Sequence, residues 1–550
     1  MKQWKKILAA LLCASMLVAS ACGGGGQDQA AGENGAQGTG AQPSTEQAAA
    51  GDDVIVIGFA SDLKTLDPGN AYEVFANMVM YGLYDNLFKF EGNDVSDPKP
   101  CLVADYTVNE DSTQYQFTLK DNLQFASGNP MTSADVVFSF NRMKNIKGNI
   151  SHTADGIVGI EAPDEKTVVI TLSEPDGSFL AKLASNSFCV LDSALVKENG
   201  GSDAEDASSA DTARAYLDAH SAGSGPYVLS SWTQNVEVVL ERNENYWGEP
   251  AKASRIILKE IPDVNTQIQM LQKGEIDIAL SLGSDHIAQL EGQDGVTVIN
   301  PLSMTTTFLL MNQDESIGGP LANPDVQQAV RYAIHYADLQ TLAGEGAIAP
   351  LANVPQGFIG AEERPDNYMD TEKAKALLAQ AGYADGFSTK MTVANFNTEG
   401  TQWTTMAQKI KDDLSKVNIN VEIETGEIGV VIESYRQGQS AFLFMHWAPD
   451  YYDINNQLAF LPGKTVGERA NWNAEADAAL TELGNRITIE LDPEKRAADS
   501  KAMQEKMAET SPYAFLVQHP KIVAYRSDLT GVEYNDLCKV QLATMARGGN

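Results

Sequence analysis

This sequence predicts an α/β protein with mixed sheets and several lobes, and three observations carry that prediction. Its 550 residues exceed what one folding unit usually holds. A hydrophobic content of 43%, with 8% aromatic residues, supplies large cores of the ordinary globular kind. From residue 53 onward, apolar side chains recur with strand and helix periods mixed along the chain, and no internal repeat is visible.

The first element is not part of that body. Lys2, Lys5 and Lys6 precede an apolar run from Ile7 to Ala21, which ends in Ala19-Ser20-Ala21 immediately before Cys22. A basic start, a short apolar stretch and small residues before a cysteine make an export signal of the lipoprotein kind. Residues 1–21 are therefore expected to be removed and Cys22 to be lipidated; the alternative is an ordinary secretory signal with Cys22 a bystander. The run of about 15 apolar residues is too short for a bilayer core that needs roughly 20. Residues 23–52 are rich in Gly, Ala, Gln, Ser and acids, so they cannot offset chain entropy by burial. With Cys22 they read as a disordered tether, 22–52, whose root-mean-square span is roughly 30 Å.

The body opens with Val54-Ile55-Val56-Ile57, a β-branched run that predicts a buried strand. Tyr115, Phe117 and Leu119 alternate with polar residues, which predicts a half-buried strand. Thr132 is placed to cap a helix with Asp135 at its third position, and Val136, Phe140 and Met143 fall on one face. Asn323-Pro324-Asp325 marks another helix start, with Val326, Val330 and Ala333 on one face. A helix around Asp370–Ala381 stops at Gly382. A helix ending near Lys416 leads into the alternating strand Ile419, Val421, Ile423.

Charge and cysteine usage exclude several function classes. The formal net charge is −35, and loss of a signal carrying lysines and no acid makes the mature chain more acidic still. Such a chain is repelled by nucleic acid and by anionic membrane surfaces. Cys101, Cys189 and Cys538 remain after the signal and Cys22; they are far apart, allow at most one disulfide, and are expected to be buried thiols. No C-x-x-C, H-x-x-x-H, G-x-S-x-G, H-E-x-x-H or Walker-type glycine loop is present, so no enzyme, metal or cofactor site is assigned. Gly223-Ser224-Gly225-Pro226 reads as a tight turn rather than a nucleophile, with glycine for φ freedom and proline for rigidity.

Four stretches carry a resemblance. The first is Thr65-Leu66-Asp67-Pro68 with Tyr81-Gly82-Leu83-Tyr84-Asp85-Asn86-Leu87. The second is LVADYTVNEDSTQYQFTLKDNLQFASGNPMTSADVVFSFNR, from Leu102 to Arg142. The third is GSGPYVLSSW from Gly223, LERNENYWG from Leu240 and QMLQKGEIDIAL from Gln269. The fourth is HWAPDYYD, from His446 to Asp453. In this order they resemble the family 5 extracellular solute-binding proteins, the oligopeptide-, dipeptide- and nickel-type binding subunits of ABC importers, over nearly all of residues 53–550. The resemblance implies a periplasmic-binding-protein type II fold, with two lobes and a hinge of two crossing strands, plus an extra domain (the three-domain, cluster C type). Domain I would comprise 53–87, 223–298 and 512–550, domain II 88–222 and domain III 299–511. It also implies a monomer that encloses its ligand between lobes and docks on a membrane permease served by ATPase subunits.

The same resemblance suggests the ligand-binding residues. In peptide-binding relatives an aspartate at the corresponding point of W-x-x-D-Y pairs with the ligand's α-ammonium. Trp447, Asp450 and Tyr451 keep that spacing here, and Asp450 is the first candidate. The chemistry agrees, because a charge desolvated on closure needs an opposite charge in hydrogen-bond reach. Asp453 is a spare carboxylate of the turn. Trp447, Tyr451 and the additional Tyr452 could form an aromatic wall. Tyr72, Glu73 and Val74 belong to a loop that approaches the ligand in relatives. Gln518, with His519, stands where peptide-binding relatives often carry tyrosines. His446 completes the set; it and His519 are isolated histidines, whose commonest role is structural.

The expected function is that of a lipid-anchored binding protein on the extracytoplasmic face of the cell membrane. It would capture a short peptide with a free amino terminus and deliver it to an ABC permease. The alternatives are the same fold holding an oligosaccharide, an opine-like conjugate or a nickel chelate, or a receptor subunit without transport.

Overall fold

The computed structural model describes residues 53–60, 63–71, 74–92 and 94–548. The signal, Cys22, the tether, Tyr72 and Glu73 lie outside the described residues. Three sheets organise the body. The largest has seven strands in the order 296–299, 522–526, 278–282, 54–59, 255–260, 237–242, 227–233. Val54–Phe59 runs parallel to Arg255–Glu260 and to Ile278–Leu282, and all but its first residue are buried. That is why it reads as a continuous apolar run rather than an alternation.

The second sheet has five strands, in the order 419–426, 387–394, 442–447, 302–311, 513–520. The third is a four-stranded antiparallel sheet, in the order 103–108, 114–119, 167–172, 157–161. On its Gln114–Leu119 strand, Tyr115, Phe117 and Leu119 are buried and their neighbours exposed, as the alternation predicts. The helix Ser133–Ile146 starts where the capping pattern places it. The Asp135 carboxylate accepts the Thr132 backbone N–H at 2.8 Å and its hydroxyl at 3.0 Å, while Val136, Phe140 and Met143 are buried. Asn323 caps the helix Pro324–Ala333 by accepting from the Asp325 N–H at 2.9 Å.

The chain passes from the seven-stranded to the five-stranded sheet between Ile299 and Leu302 and returns between Pro520 and Ile522. The two crossovers lie side by side: Leu302 is paired with Pro520, and the Lys521 N–H donates to Pro301 O at 2.7 Å. The fully buried strand Tyr513–Pro520 pairs with Leu302–Met311 in the five-stranded sheet.

Two buried carboxylates join the sequence motifs to one another. Asp67 is bidentate with Arg142, at 2.7 and 2.9 Å, and Arg142 also grips Asp211 at 2.7 and 2.9 Å. Burial opposes ionisation of Asp67, but the Arg142 guanidinium outweighs it and holds the carboxyl below its usual range. Asp85 accepts from the Trp247 indole at 2.8 Å and the Ser224 hydroxyl at 2.9 Å. Here burial wins and raises its pKa. The glycines of the Gly223–Pro226 turn are required by space rather than by φ. A Cβ at Gly223 would stand 2.1 Å from Leu83 O, and one at Gly225 2.5 Å from Leu83 C, while neither residue has positive φ. Cys101, Cys189 and Cys538 are buried and free. Among the described residues, no helix is long and apolar enough to cross a membrane.

Candidate functional site

A cavity of about 960 Å³ lies between the lobe of the five-stranded sheet and the lobe of the four-stranded sheet. One wall grows from the strand Phe442–Trp447, held between its neighbours by pairs such as Thr306–Trp447 and Thr392–Leu443. The ladder ends there. Ala448, Pro449, which has no N–H to donate, Asp450 and Tyr451 follow along the cavity. Asp453 then closes the turn: it accepts from the Asn455 N–H at 2.8 Å, so capping the helix Ile454–Gln457, and from Arg496 at 2.9 Å. The facing wall is contributed by residues near Ile150–Gly156 and Leu172–Asp176, and by Lys182, Asn186 and Ser187.

The walls touch across the cavity. The His152 imidazole stands 3.5 Å from the Asp450 carboxylate, whose side chain is 20% exposed. The hydrogen bond to Asp450 raises the His152 pKa, against the opposing effect of burial. Lys182 pairs with Asp176 at 2.7 Å and lies over the Tyr451 ring at 5.1 Å. Burial opposes ionisation of Asp176, yet Lys182 and Ser178 together hold its pKa below the usual value. At the rim, the Gly177 N–H donates to Thr488 O at 2.8 Å, and the Asn455 amide donates to Asp176 at 3.1 Å. The Trp447 indole donates to Asn456 at 3.2 Å and packs edge-on against Phe460.

The structure brings Asp450, Trp447, Tyr451 and His446 onto one cavity wall. His446 is no charge partner there: burial pushes its pKa down to about 4, and its ring packs against Trp403 and Phe396. Tyr451 is buried, and one face of its ring is taken by Lys182. Two candidates are placed elsewhere. Tyr452 points away from the cavity, between Phe90 and Phe358, and its hydroxyl donates to Asp536 at 2.9 Å. Gln518 is fully buried in its strand; its amide donates to Ser303 O at 2.8 Å and Gln356 O at 3.0 Å and accepts from the Gln356 N–H at 2.7 Å. Tyr452 lies in the turn that follows the strand Phe442–Trp447, and Gln518 lies in the strand Tyr513–Pro520, whose residues are all buried. Val74 is the first residue of the helix Val74–Leu83. His519 is buried beside Thr307, with its pKa pushed down to about 4 by burial. Among the described residues, no group of three or more His, Cys, Asp or Glu is placed to hold a metal ion.

His152, Asp176 and Lys182 escape the sequence reading. Asp176 had one local signal, the Pro175-Asp176-Gly177 turn; the other two become wall residues only through tertiary folding.

Comparison with known proteins agrees with this architecture. The sequence profile of the bacterial extracellular solute-binding proteins, family 5 Middle, matches residues 97–468. The chain is 28% identical over 494 residues to the probable D,D-dipeptide-binding periplasmic protein DdpA of Escherichia coli (strain K12), covering 88% of this chain and 92% of that protein. It is 26% identical over 493 residues to the glutathione-binding protein GsiB of Shigella dysenteriae serotype 1 (strain Sd197), covering 87% and 91%. The solved structure of HbpA2 from Haemophilus parasuis superposes with a TM-score of 0.78 at 21% identity, covering 90% of this chain and all of that one. The fold is therefore the multi-domain type II periplasmic-binding-protein fold.

Proposed function

From a chain that belongs to family 5 of the bacterial extracellular solute-binding proteins, we infer a binding protein for short peptides with a free amino terminus, serving an ABC importer. The observation that carries this reading is the Asp450 carboxylate on the wall of a large cavity between lobes, with the His152 imidazole 3.5 Å away. A ligand ammonium placed there exchanges a loosely held imidazole for a full charge pair. Without such a partner, burying the ammonium costs several kcal/mol. Relatives named for binding a D,D-dipeptide and glutathione, both peptides, support the class of cargo. The aromatic-wall reading loses its basis, because Tyr452 faces away and Lys182 covers Tyr451.

A ligand that touches both walls stabilises the closed arrangement by its differential affinity for it. The closed complex then engages the permease, and ATP hydrolysis by other subunits drives import. Lipidated Cys22 and the leash 23–52 keep the body near the membrane and raise its local concentration at the permease. Extraction by detergent but not by high salt is the expected outcome for the anchor; release by salt alone would exclude it.

Isothermal calorimetry with free and N-acetylated peptides tests the cargo. Free peptides are expected to bind at least tenfold more tightly, since a charge-assisted hydrogen bond contributes about 1.5–3 kcal/mol. Equal binding of acetylated peptides would sink the assignment of Asp450.

A further inference from the structure

Tyr452 stands two residues from Asp450, at a seam where side chains tied to all three sheets meet. Its ring packs edge-on against Phe90 and Phe358, with centroids 6.3 and 6.1 Å away. Phe90 follows the short strand Phe88–Lys89, and Phe88 in turn packs edge-on against Phe117 of the four-stranded sheet. Phe358 belongs to the loop in which the Gln356 N–H donates to Gln518 of the five-stranded sheet at 2.7 Å. The Tyr452 hydroxyl reaches Asp536, in the hairpin of Tyr534–Asn535 with Lys539–Val540. Tyr534 and Val540 share a core with Ile57 and Leu258 of the seven-stranded sheet.

One oxygen of Asp536 holds two distant segments. Its Oδ2 accepts the Tyr452 hydroxyl at 2.9 Å and the Met304 N–H at 2.9 Å. Met304 lies near the start of Leu302–Met311, the strand that leaves the crossover. The other oxygen accepts from the Tyr534 hydroxyl and from Lys539 Nζ, the latter at 3.0 Å. Lys539 has φ 62°, in the left-handed region. A residue with a side chain stays there only where its surroundings over-determine it. Here its Nζ also donates to Asp536 O at 2.7 Å. The Asp536 carboxylate is thus a fixed point, and the crossover strand and the loop 448–453 are both tied to it. Filling the seam needs only a phenylalanine at position 452; what the hydroxyl adds is the tie.

We propose that Tyr452 is a positioning residue for cargo binding: through Asp536 it fixes the loop 448–453, and with it the Asp450 carboxylate, relative to the crossover strands. Tyr452 is buried and touches no cargo itself. It acts through Asp450, so this role rests on the reading of Asp450 given above. A charged hydrogen bond to an ammonium depends on distance and direction, and a supporting contact that is lost lets the carboxylate drift out of register.

The test compares wild type, Tyr452→Phe and the control Tyr227→Phe, each as the full chain with circular dichroism to confirm folding. Tyr227 is also buried, and its hydroxyl also serves a hydrogen bond, to Ala253 O and Leu542 O at 3.2 Å, but in the seven-stranded sheet. Each protein is titrated calorimetrically with one peptide in free and N-acetylated form. Tyr452→Phe is expected to reduce the preference for the free peptide by at least about threefold, and Tyr227→Phe to leave it within about 1.5-fold of wild type. Affinities that fall equally for both peptides would make Tyr452 merely structural and overturn its positioning role, as would an equal change in the control. The second arm needs no peptide. Amide hydrogen exchange of the ligand-free proteins is expected to be at least about tenfold faster across 450–453 in Tyr452→Phe, with the flanking strand Phe442–Trp447 unchanged. Unchanged exchange in that loop would overturn the role whatever the peptides do. A wild type with no preference for the free peptide would instead sink the reading of Asp450, and hydrogen exchange alone would then decide whether Tyr452 holds the loop.

Discussion

Asp67 and Asp450 are both motif carboxylates facing a basic side chain from a distant part of the sequence, yet their surroundings differ completely. Asp67 is fully buried, bidentate with Arg142, and joined through it to Asp211. Asp450 stands on a cavity wall, 3.5 Å from a half-exposed imidazole. The first arrangement has no room for a ligand and every reason to stay fixed. The second is loose enough to be replaced by one. Most of what the signature stretches encode is therefore the frame: Asp67 with Arg142, and Asp85 with Ser224 and Trp247. The cavity wall combines the short HWAPDYYD stretch with His152 and Lys182, which carry no local signal.

The sharpest way to break this contrast is to cut the frame. Arg142→Met leaves Asp67 buried without its cation, which is expected to cost about 3–5 kcal/mol in urea unfolding. A folded fraction should still bind ligand; a variant of normal stability and lost binding would contradict the division. Next comes space. Gly225→Ala forces a Cβ onto the Leu83 backbone, and overpacking of this kind costs about 1–3 kcal/mol. Asp450→Asn, by contrast, should shift unfolding by less than about 1 kcal/mol while binding is lost.

A pH comparison follows. Burial opposes ionisation of Asp536, but Lys539, the Tyr534 hydroxyl and the Met304 N–H together hold its pKa at about 2. A folded value below the unfolded one stabilises the protein above the unfolded pKa, near pH 4, and that contribution fades as pH falls toward 2. Roughly 2 kcal/mol should be lost over that window in wild type and retained in Asp536→Asn after its own baseline is subtracted. Identical pH profiles for the two would exclude this role. The smallest effect belongs to His152, whose folded pKa is raised. Its pairing with Asp450 contributes at pH below the unfolded value of about 6.5 and is lost as pH rises through the folded one. Because the ring is half exposed, His152→Gln should change stability at pH 5 by no more than about 0.5 kcal/mol. A change of several times that would mean the imidazole belongs to the frame.

Local patterns read the elements well and their pairing poorly. The caps at Thr132 and Asn323, the buried strand at Val54 and the alternation at Tyr115 are short-range physics, and the structure contains them. Asp67 and Arg142 stand in two separate motifs, and no local rule joins positions 75 residues apart. The turn at Gly223 invites an explanation from φ, but the cause is the Leu83 backbone, more than a hundred residues away. At the site, W-x-x-D-Y leads to Trp447, Asp450 and Tyr451 on the cavity wall. Tyr452 and Gln518 are taken up by the packed interior instead, through Asp536 and through Ser303 and Gln356, partners that no local pattern names. His152 and Lys182 reach Asp450 and Tyr451 from more than 250 residues away, so only the packed lobes reveal them.

The central claim, that Asp450 holds the cargo's ammonium, is tested most directly by a double-mutant cycle read by calorimetry. Wild type and Asp450→Asn are each titrated with one peptide in free and N-acetylated form. The account predicts a coupling of at least about 1.4 kcal/mol, a tenfold non-additivity, between the carboxylate and the amine. Additive losses, with no coupling between the two changes, would contradict it.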